Sequence, residues 1–421
     1  MDPIGRLRQS RIYSSGLVAR REAIPTRPDR LEEKALRALG AEAQAYLGGG
    51  AGLETTMAAN RTAFDRRKLI PRMGRDVRHR DLSVDILGRR LPLPLLLAPI
   101  GVLDMAHRDA DLAAARAAAK AGVPFITSSQ ACSPLEDIAT AMGDAPRWFQ
   151  LYWSMHDQVA ESFVKRAEQA GYEAIVLTLD TTQLGWRPRD LDLGYLPFLR
   201  GRGIANYLSD EAFVAVVDEN TSSIKPGRPG LGALRSLAEM LTTRRRGVAK
   251  GRPIGDLAEA IRRFVAIYSR PPDLTFADLE RLKSWTRLPI LVKGILHPDD
   301  AKLALQHGAS GIIVSNHGGR QVDGAIAALD ALPGIVEAVE GHVPVLFDSG
   351  IRTGSDIVKA LCLGASAVLL GRPYVWGLAL DGQAGVAAVI DNLAAELDLT
   401  LAFCGHRSLS ELGRHCLAEG L

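Results

Sequence analysis

The stretch LVKGILHPDDAKLALQHGASGIIVSNHGGRQ, residues 291–321, contains the repeat that decides the fold of this chain. An apolar run, PILVKG at 289–294, leads into a polar, helix-like stretch, HPDDAKLALQHGAS at 297–310, and a second apolar run follows, GIIVSN at 311–316. Continuous apolar runs of this length are typical of parallel strands that are covered on both faces. The stretch therefore predicts one strand–helix–strand unit of a parallel sheet.

The same alternation of a short apolar run and a helical stretch occupies the chain from about residue 90 onward. Six further runs complete the set: PLLLAPI (94–100), PFITSS (124–129), RWFQLYW (147–153), AIVLTLD (174–180), VPVLFDSG (343–350) and SAVLLG (366–371). Eight strands with helices between them predict an α/β fold, a closed (β/α)8 TIM barrel over residues 91–421. An open, doubly wound sheet is the alternative.

Two regions do not follow the repeat. Residues 1–90 predict an N-terminal helical cap, with LEEKALRALGAEAQAYL at 31–47 as its clearest helix. Residues 197–274 form a long insertion after the fourth strand, rich in Gly, Pro and Arg, which predicts a lid or binding loop. The basic run TTRRRGVAKGR at 242–252 inside it is interpreted as a solvated loop.

Composition excludes several classes of protein. The formal net charge of +3 over 421 residues argues against a nucleic-acid-binding protein. No window approaches the run of about 18 apolar residues that a membrane span needs, and the polar N-terminus has no apolar signal region, which predicts a cytoplasmic protein. Four cysteines, Cys132, Cys362, Cys404 and Cys416, show no metal-binding spacing, so free thiols and no metal are expected.

Candidate catalytic residues stand where strands end, because barrels collect their chemistry at the carboxyl ends of the strands. The sixth strand ends in SNHGGRQ, where His317 can accept a proton near neutral pH and Arg320 offers a forked donor for a carboxylate. The two glycines between them allow close approach of backbone and ligand. Asp180, at the end of the fourth strand, is placed to orient a histidine.

Two further cations have more than one interpretation. Lys293 ends the fifth strand and can form a Schiff base, pair with a carboxylate, or supply a fixed charge beside a cofactor. Arg187 can clamp a substrate carboxylate or pair with Asp190 or Asp192. The residues alone leave both choices open.

The last two strands predict a phosphate site. They continue into FDSGIRTGSD (347–356) and LLGRPY (369–374), where Gly350 and Gly371 expose backbone N–H groups beside Arg352 and Arg372. Barrels commonly bind phosphate at this position. A phosphorylated ligand is therefore expected.

These motifs together resemble the FMN-dependent 2-hydroxy acid oxidase and dehydrogenase family, with SNHGGRQ as the most specific signature. The likeness runs from about Leu36 to Leu412. Within the family the chain is most similar to the lactate 2-monooxygenase branch, through APIGV (98–102), LTLDT and GWRPRDL (177–191), PFLRG (197–201), LFDSGIRTG (346–354) and GRPYVWGLAL (371–380). The resemblance implies FMN as the cofactor, a small 2-hydroxy acid and O2 as substrates, and a homo-oligomer of four or eight copies.

The resemblance also implies roles for individual residues. On the substrate side, His317 is the base held by Asp180, Arg187 and Arg320 clamp the carboxylate with Tyr46, and Tyr152 lies near the C2 oxygen. Lys293 would lie against the N1–C2=O edge of the flavin. The remaining FMN contacts implied are Pro99, Ile100 and Gly101 beneath N5, Ser128, Gln150 and Thr178 on the ring, Ser315 on the ribityl chain, and Asp348, Ser349, Gly350, Arg352, Gly371 and Arg372 on the ribityl and phosphate groups.

Three features bear on the substrate and the product. Gly101 stands where most members of the family carry Ala, whereas the lactate 2-monooxygenase branch carries Gly. This likeness favours conversion of lactate and O2 to acetate, CO2 and water. Gln130 replaces an apolar or aromatic pocket residue, and residues 203–270 match the relatives poorly. These two features favour the alternative, an oxidase or dehydrogenase that yields the 2-oxo acid from a larger substrate. A Schiff-base lyase through Lys293 is the alternative from another class of enzyme.

Overall fold

The computed structural model describes residues 3–19, 21–216, 254–267 and 273–418. Its centre is a closed barrel of eight parallel strands, one for each predicted apolar run. A short antiparallel hairpin, β1 (Val84–Ile86) and β2 (Arg89–Leu91), precedes it. The barrel strands are β3 (Leu95–Leu97), β4 (Phe125–Ser128), β5 (Arg147–Leu151), β6 (Ile175–Thr178), β7 (Ile290–Ile295), β8 (Gly311–Val314), β9 (Val345–Phe347) and β10 (Ala367–Leu370). The (β/α)8 prediction is confirmed, and the open sheet is wrong because β10 pairs with β3.

Helices cover the outside of the barrel between consecutive strands. Ala110–Ala121 ends at Gly122 in the left-handed conformation, as its sequence predicts. The other α-helices are Ile4–Leu17, Pro28–Ala38, Ala41–Ala43, Thr55–Arg66, Leu135–Met142, Asp157–Gln169, Pro188–Asp192, Ala205–Leu208, Glu211–Ala215, Ile254–Ile267, Asp278–Trp285, Pro298–Gln306, Ala328–Val339, Gly354–Cys362 and Arg372–Phe403. Short 3-10 turns lie at Leu103–Met105, Pro197–Arg200, His317–Gly319, Leu409–Glu411 and Arg414–Cys416.

The helix expected over residues 31–47 is broken in the structure. The first part ends at Ala38, the backbone is extended at Leu39 and Gly40, and a π-helical turn follows at Gln44–Gly48. Gly40 lowers the stability of a continuous helix, so breaking the helix at this point costs little free energy. The π-helical turn brings Tyr46 to the mouth of the barrel. Turns of this kind are often found at functional sites.

The interior of the barrel is filled by one apolar layer to which every strand contributes. The hairpin closes this layer from the amino-terminal end, since Ile86 and Leu91 pack against it. The layer consists of Leu96, Ile126, Trp148, Val176, Leu291, Ile313, Leu346 and Leu369. The barrel is therefore packed below and accessible only at its carboxyl end.

Aromatic rings hold the described part of the insertion together, and it packs against the flank of the barrel where Tyr207 meets Phe163 of the helix Asp157–Gln169, at 4.8 Å between ring centroids. Phe264, on the helix Ile254–Ile267, lies 5.3 Å from Phe198 and 4.7 Å from Tyr207, between ring centroids. Phe198 in turn makes an edge contact with Tyr46 at 6.4 Å. This chain of rings connects the insertion to the mouth of the barrel. Residues 217–253 and 268–272, which together make up just over half of the expected lid and include the basic run, lie outside the described residues.

No helix in the described ranges is both long enough and apolar enough to cross a membrane.

Candidate active site

A polar ring lies directly above the apolar layer of the barrel. Successive residues of a strand point to opposite faces, so the residue two positions after each layer residue also faces inward. The residues found there are Ala98, Ser128, Gln150, Thr178, Lys293, Ser315, Asp348 and Gly371. Six of these eight positions are polar or charged, which gives the bottom of the mouth its hydrogen-bonding character.

A cavity of about 1030 Å³, including its open mouth, lies above this ring. The structure brings most of the residues predicted from sequence to its wall: Tyr46, Pro99, Ile100, Gly101, Tyr152, Arg187, Lys293, His317, Arg320, Asp348, Ser349, Gly350, Arg352, Gly371 and Arg372. Five predicted residues do not line it. Ser128, Gln150, Thr178 and Ser315 are buried in the ring beneath, and Asp180 lies behind His317.

His317 is held in a strained turn at the end of β8. Its φ of 57° lies in the left-handed region, where non-glycine residues are uncommon and often functional. Gly318 and Gly319 continue the turn with positive φ. A Cβ at Gly319 would lie 2.8 Å from the backbone nitrogen of Met57, so this glycine accommodates the helix Thr55–Arg66. The turn points the imidazole into the cavity.

Asp180 lies against the imidazole of His317. Its Oδ1 lies 2.8 Å from Nδ1 of His317 and also accepts from the Thr181 hydroxyl at 2.8 Å. Burial raises the pKa of Asp180, but the charges of His317 and Lys293 outweigh it and lower that pKa to about 2. Burial lowers the pKa of His317 in spite of Asp180. The neutral imidazole therefore exposes Nε2 as a proton acceptor.

Lys293 lies in a buried network on β7, between the two strands that lead into Asp180 and His317. Its Nζ donates to the Ser315 hydroxyl at 2.9 Å and pairs with Asp348 Oδ2 at 3.2 Å. Burial lowers the pKa of Lys293, but Asp348 and Asp180 more than offset it, so the net pKa is raised. The ammonium pairs with a carboxylate, which is one of the three interpretations left open by the sequence.

Arg320 and Arg187 reach the cavity from two different loops. Arg320 donates from Nη1 to the carbonyl oxygens of Tyr46 at 2.5 Å and Gly49 at 2.8 Å. Arg187 donates from Nε to the Arg320 carbonyl and from Nη2 to Gln321 Oε1, at 3.1 and 2.8 Å. The alternative of a salt bridge to Asp190 or Asp192 is wrong, because the backbone and Gln321 hold this side chain instead.

The free donors of the two arginines point to an anionic ligand. Within the described part of the chain, Nε and Nη2 of Arg320 and Nη1 of Arg187 have no protein acceptor. Burial and the nearby charge of Arg187 lower the pKa of Arg320 to about 10. An anion relieves this repulsion, and a carboxylate matches the planar fork of a guanidinium.

A second concentration of positive charge lies next to the first, since Arg372 donates to the same Gly49 carbonyl as Arg320. Arg372 stands at the start of the long helix Arg372–Phe403, whose amino terminus carries a partial positive charge. Burial, Arg320 and Arg352 lower the pKa of Arg372 to about 9. The pKa of Arg352 is also lowered by burial. Two arginines and a helix terminus fit a phosphate.

The buried ring also fits the polar edge of a flavin. Nε2 of Gln150 and Oγ1 of Thr178 are fully buried and have no hydrogen-bond partner among the described residues. Buried polar groups without partners are costly, so their presence at the floor of a cavity indicates a ligand that satisfies them. Gln150 is fixed for this purpose because its Oε1 accepts from Ser128 Oγ at 3.1 Å and from the Ser129 amide at 3.2 Å.

Several supporting residues had no role predicted from the sequence, although Asn316 and Gln321 belong to SNHGGRQ. Gln321 positions Arg187 and also donates to the Gln183 carbonyl at 2.9 Å. Asn316 and Asn60 exchange two amide hydrogen bonds, 2.7 and 2.9 Å long, which join the His317 turn to the N-terminal helices. Asn60 lies 256 residues from its partner, so only the fold reveals the pair.

The wall of the cavity holds other residues that the sequence prediction missed. They are Leu47, Ala98, Thr181, Leu184, Phe198, Gly318, Ile351, Leu369 and Val375. Most of them lie inside stretches that carry the family resemblance, such as Ala98 in APIGV and Ile351 in LFDSGIRTG. No role was predicted from the sequence for these individual residues, because most are apolar or small side chains without a distinctive chemistry.

Comparison with known proteins agrees with this site. The family model for FMN-dependent dehydrogenases matches residues 35–419. The chain is 42% identical over 369 residues to an L-lactate oxidase of Lysinibacillus sphaericus, covering 87% of this chain and 86% of that protein. It is 40% identical over 410 residues to an FMN-dependent alpha-hydroxy acid dehydrogenase of Penicillium citrinum, covering 97% and 94%.

A solved structure shows the same fold. A mandelate oxidase crystallised with (S)-4-hydroxymandelic acid is 36% identical, with a TM-score of 0.76, covering 94% of this chain and 98% of that one. The chain therefore belongs to the FMN-dependent 2-hydroxy acid oxidase and dehydrogenase family, with FMN as its cofactor.

Proposed function

We propose that this enzyme oxidises a short L-2-hydroxy acid, with L-lactate as the favoured substrate, and that it converts lactate and O2 to acetate, CO2 and water. The observation that carries the substrate class is the meeting of a base, His317, with unpaired guanidinium donors of Arg187 and Arg320 at one wall of the cavity. In a 2-hydroxy acid, the carbon that carries the hydroxyl is bonded directly to the carboxylate carbon. Both groups then find a partner on the same wall.

The residues of the chain supply binding, orientation and proton transfer. The two arginines bind the substrate carboxylate, and Tyr46 and Tyr152 line the same part of the cavity. His317 accepts one proton from the substrate as it is oxidised, and Asp180 stabilises the imidazolium that forms. FMN, when bound, supplies the acceptor for the two electrons that leave C2.

Fixed positive charge favours the oxidation electrostatically. Negative charge builds up at the floor of the site as electrons leave the substrate, and Lys293 is a buried, protonated group at that floor. Preorganised charges of this kind stabilise developing charge without reorganising. The raised pKa of Lys293 disfavours the Schiff-base lyase, since a nucleophilic lysine must lose its proton at neutral pH.

Gly101 supports the monooxygenase reaction through its contact with Gln130. A Cβ at residue 101 would lie 2.9 Å from Gln130 Cβ and 3.0 Å from the Gln130 carbonyl oxygen. The space left by the missing methyl is therefore occupied by Gln130, whose side chain lines the cavity. An amide there gives a 2-oxo acid product a hydrogen-bond donor, and a retained product is what the decarboxylating reaction needs.

The Gly101→Ala variant should release pyruvate and hydrogen peroxide instead of acetate. The added methyl meets the backbone and Cβ of Gln130, which are not free to swing away, so the amide must shift. The product ratio after turnover of L-lactate in air measures this, by chromatography of both acids and a peroxide assay.

Gly334→Ala is the matched control for that variant. It adds the same methyl inside the helix Ala328–Val339, where the nearest atom, Pro298 Cγ, is an ordinary 3.4 Å away. Its products should equal those of the wild type. If Gly101→Ala still formed acetate as the wild type does, the Gly101–Gln130 contact would not be what retains the product.

The acid limb of the pH profile should lie below the ordinary histidine pKa of about 6.5. Burial lowers the pKa of His317, so its neutral, proton-accepting form persists as the pH falls through that value and is lost only further down. Asp180→Asn removes the charge that raises this pKa, so the limb should move to still lower pH while the rate falls. The pH dependence of kcat/KM measures both effects. An acid limb above pH 7 in the wild type would contradict this assignment.

A plain oxidase that releases the 2-oxo acid is the second candidate, and the relative of 42% identity named L-lactate oxidase favours it. The deciding experiment mixes the purified yellow protein anaerobically with a panel of 2-hydroxy acids and then admits oxygen. Bleaching by L-lactate followed by acetate without free peroxide supports the monooxygenase. Pyruvate with peroxide supports the oxidase, and bleaching only by a bulkier acid shows that Gln130 and the insertion select a larger substrate.

A further inference from the structure

Two histidines and a cysteine meet near the carboxyl end of the chain. The ligand atoms of His406, His415 and Cys416 all lie within 4.8 Å of one another. Cys416 Sγ lies 3.3 Å from Nε2 of His406 and 3.3 Å from Nε2 of His415. Cysteine spacing along the sequence gave no sign of this cluster, because histidines supply two of its three groups.

The spacing of these atoms fits tetrahedral coordination. Zinc binds cysteine sulfur at about 2.3 Å and histidine nitrogen at about 2.0 Å, which places sulfur and nitrogen about 3.5 Å apart at the tetrahedral angle. Both observed separations are within a few tenths of an ångström of this value. The ligand atoms of all three residues lie within 4.8 Å of one another, so rotation of the side chains is what brings them onto one ion.

The orientation of His406 also fits a metal ligand. Its Nδ1 lies 3.2 Å from Glu411 Oε2, so the carboxylate accepts the Nδ1 proton and leaves the lone pair of Nε2 facing Cys416. Metal-bound histidines commonly have such a carboxylate behind them. His406 and Cys416 are 4% and 3% exposed, whereas His415 is exposed and gives solvent access to the cluster.

Cys416 is held in place by its backbone and by other thiols. The Ile70 amide donates to the Cys416 carbonyl at 2.9 Å, and Ala418 continues this pairing with Lys68 at 2.8 Å. The thiol of Cys362 is in contact with that of Cys416, and burial together with this neighbour raises the pKa of Cys362. The site therefore has a rigid anchor.

We propose that His406, His415 and Cys416 bind one zinc ion per chain. Zinc suits this set because it accepts imidazole and thiolate ligands together. The site is separate from the FMN cavity: the helix Gly354–Cys362 begins beside the cavity and ends at Cys362, next to the cluster. Bound zinc closes the loop between His406 and Cys416, with the fourth coordination position facing solvent beside His415.

The test uses the FMN-loaded protein, treated with EDTA, dialysed, and titrated calorimetrically with ZnCl2 at pH 7. We expect about one equivalent to bind, with release of the Cys416 thiol proton, seen when the titration is repeated in buffers of different ionisation enthalpy. His415→Asn and Cys416→Ser should each weaken binding at least about tenfold, the typical effect of losing part of a metal shell. Flavin absorbance and circular dichroism confirm that each variant is folded.

His307→Asn is the matched control, since His307 is partly exposed and pairs with Glu280 outside the cluster. It should bind zinc as the wild type does. No binding by the wild type, or equal binding by the wild type, His415→Asn and Cys416→Ser, overturns the proposal. Because His415 is exposed, loss of binding in that variant is not explained by misfolding of the core.

Discussion

Replacing His317 by Gln should slow the reduction of the bound flavin by L-lactate about 1000-fold while FMN stays bound, because a positioned general base contributes on the order of 100- to 10,000-fold. Gln keeps a polar side chain of similar length but cannot accept the substrate proton. In this variant the Asp180 carboxylate still faces residue 317, but the glutamine there cannot take up a proton and become a cation. Stopped-flow reduction by L-lactate measures the chemical step, and the flavin spectrum after gel filtration measures retention of FMN.

The strained turn requires a second variant and a control. His317 has a φ of 57°, and Asn tolerates this conformation better than most residues do, so His317→Asn separates the loss of the base from backbone strain. Both variants should be equally slow. His342→Gln changes a histidine that bonds only its own turn, through the Val339 carbonyl, and should turn over normally. Near-normal reduction of either His317 variant would assign the base to another group.

Replacing Arg320 by Met should lower kcat/KM for L-lactate by about 100- to 1000-fold, since truncating one member of a buried charge pair costs roughly 2–5 kcal/mol. The variant loses the free guanidinium donors at the cavity wall and also the bonds to the carbonyls of Tyr46 and Gly49. The effect should appear in both substrate affinity and reduction rate, because the clamp sets the position of C2 as well as binding the anion.

Arg320→Lys and Arg189→Met make this test specific. Lysine restores the charge without the fork, so it should recover part of the affinity and little of the rate. Arg189 lies one residue beyond Pro188 in the same loop as Arg187 but pairs with Glu54 at the surface, so its replacement should have little effect. Anaerobic titration with lactate and with sulfite, an anion that binds oxidised flavins, checks the clamp. If Arg320→Met binds both like the wild type, the carboxylate lies elsewhere.

The positions of the eight strands were readable from the sequence because each is a continuous apolar run. Every predicted run contains the core of an observed strand. The buried polar residues two positions further on, such as Ser128, Gln150 and Thr178, were expected only through the family resemblance. SNHGGRQ could be assigned from its residues alone because a proton acceptor and a forked donor stand three residues apart at a strand end. Chemistry that depends on residues close together in the chain can therefore be read from the sequence.

The N-terminal region shows where local reasoning stopped. The pattern at residues 31–47 has helical periodicity throughout, yet the helix breaks at Leu39 and Gly40. The turn that follows is fixed by distant groups, since Arg320 and Arg372 both donate to the Gly49 carbonyl at 2.8 Å. A tertiary contact of this kind overrides a propensity worth only tenths of a kcal/mol per residue.

The sequence by itself determined the barrel, the strand ends that carry chemistry and the family signature, because these depend on periodicity and on residues close together in the chain. Only the tertiary structure decided what surrounds them: Gln321 on Arg187, Asn60 on Asn316, and Gln130 in the space beside Gly101. The same is true of the His406, His415 and Cys416 cluster, whose atoms converge after a turn and a 3-10 helix. These contacts join residues that are close in space, and the order of residues in the sequence does not show which residues the fold brings close together.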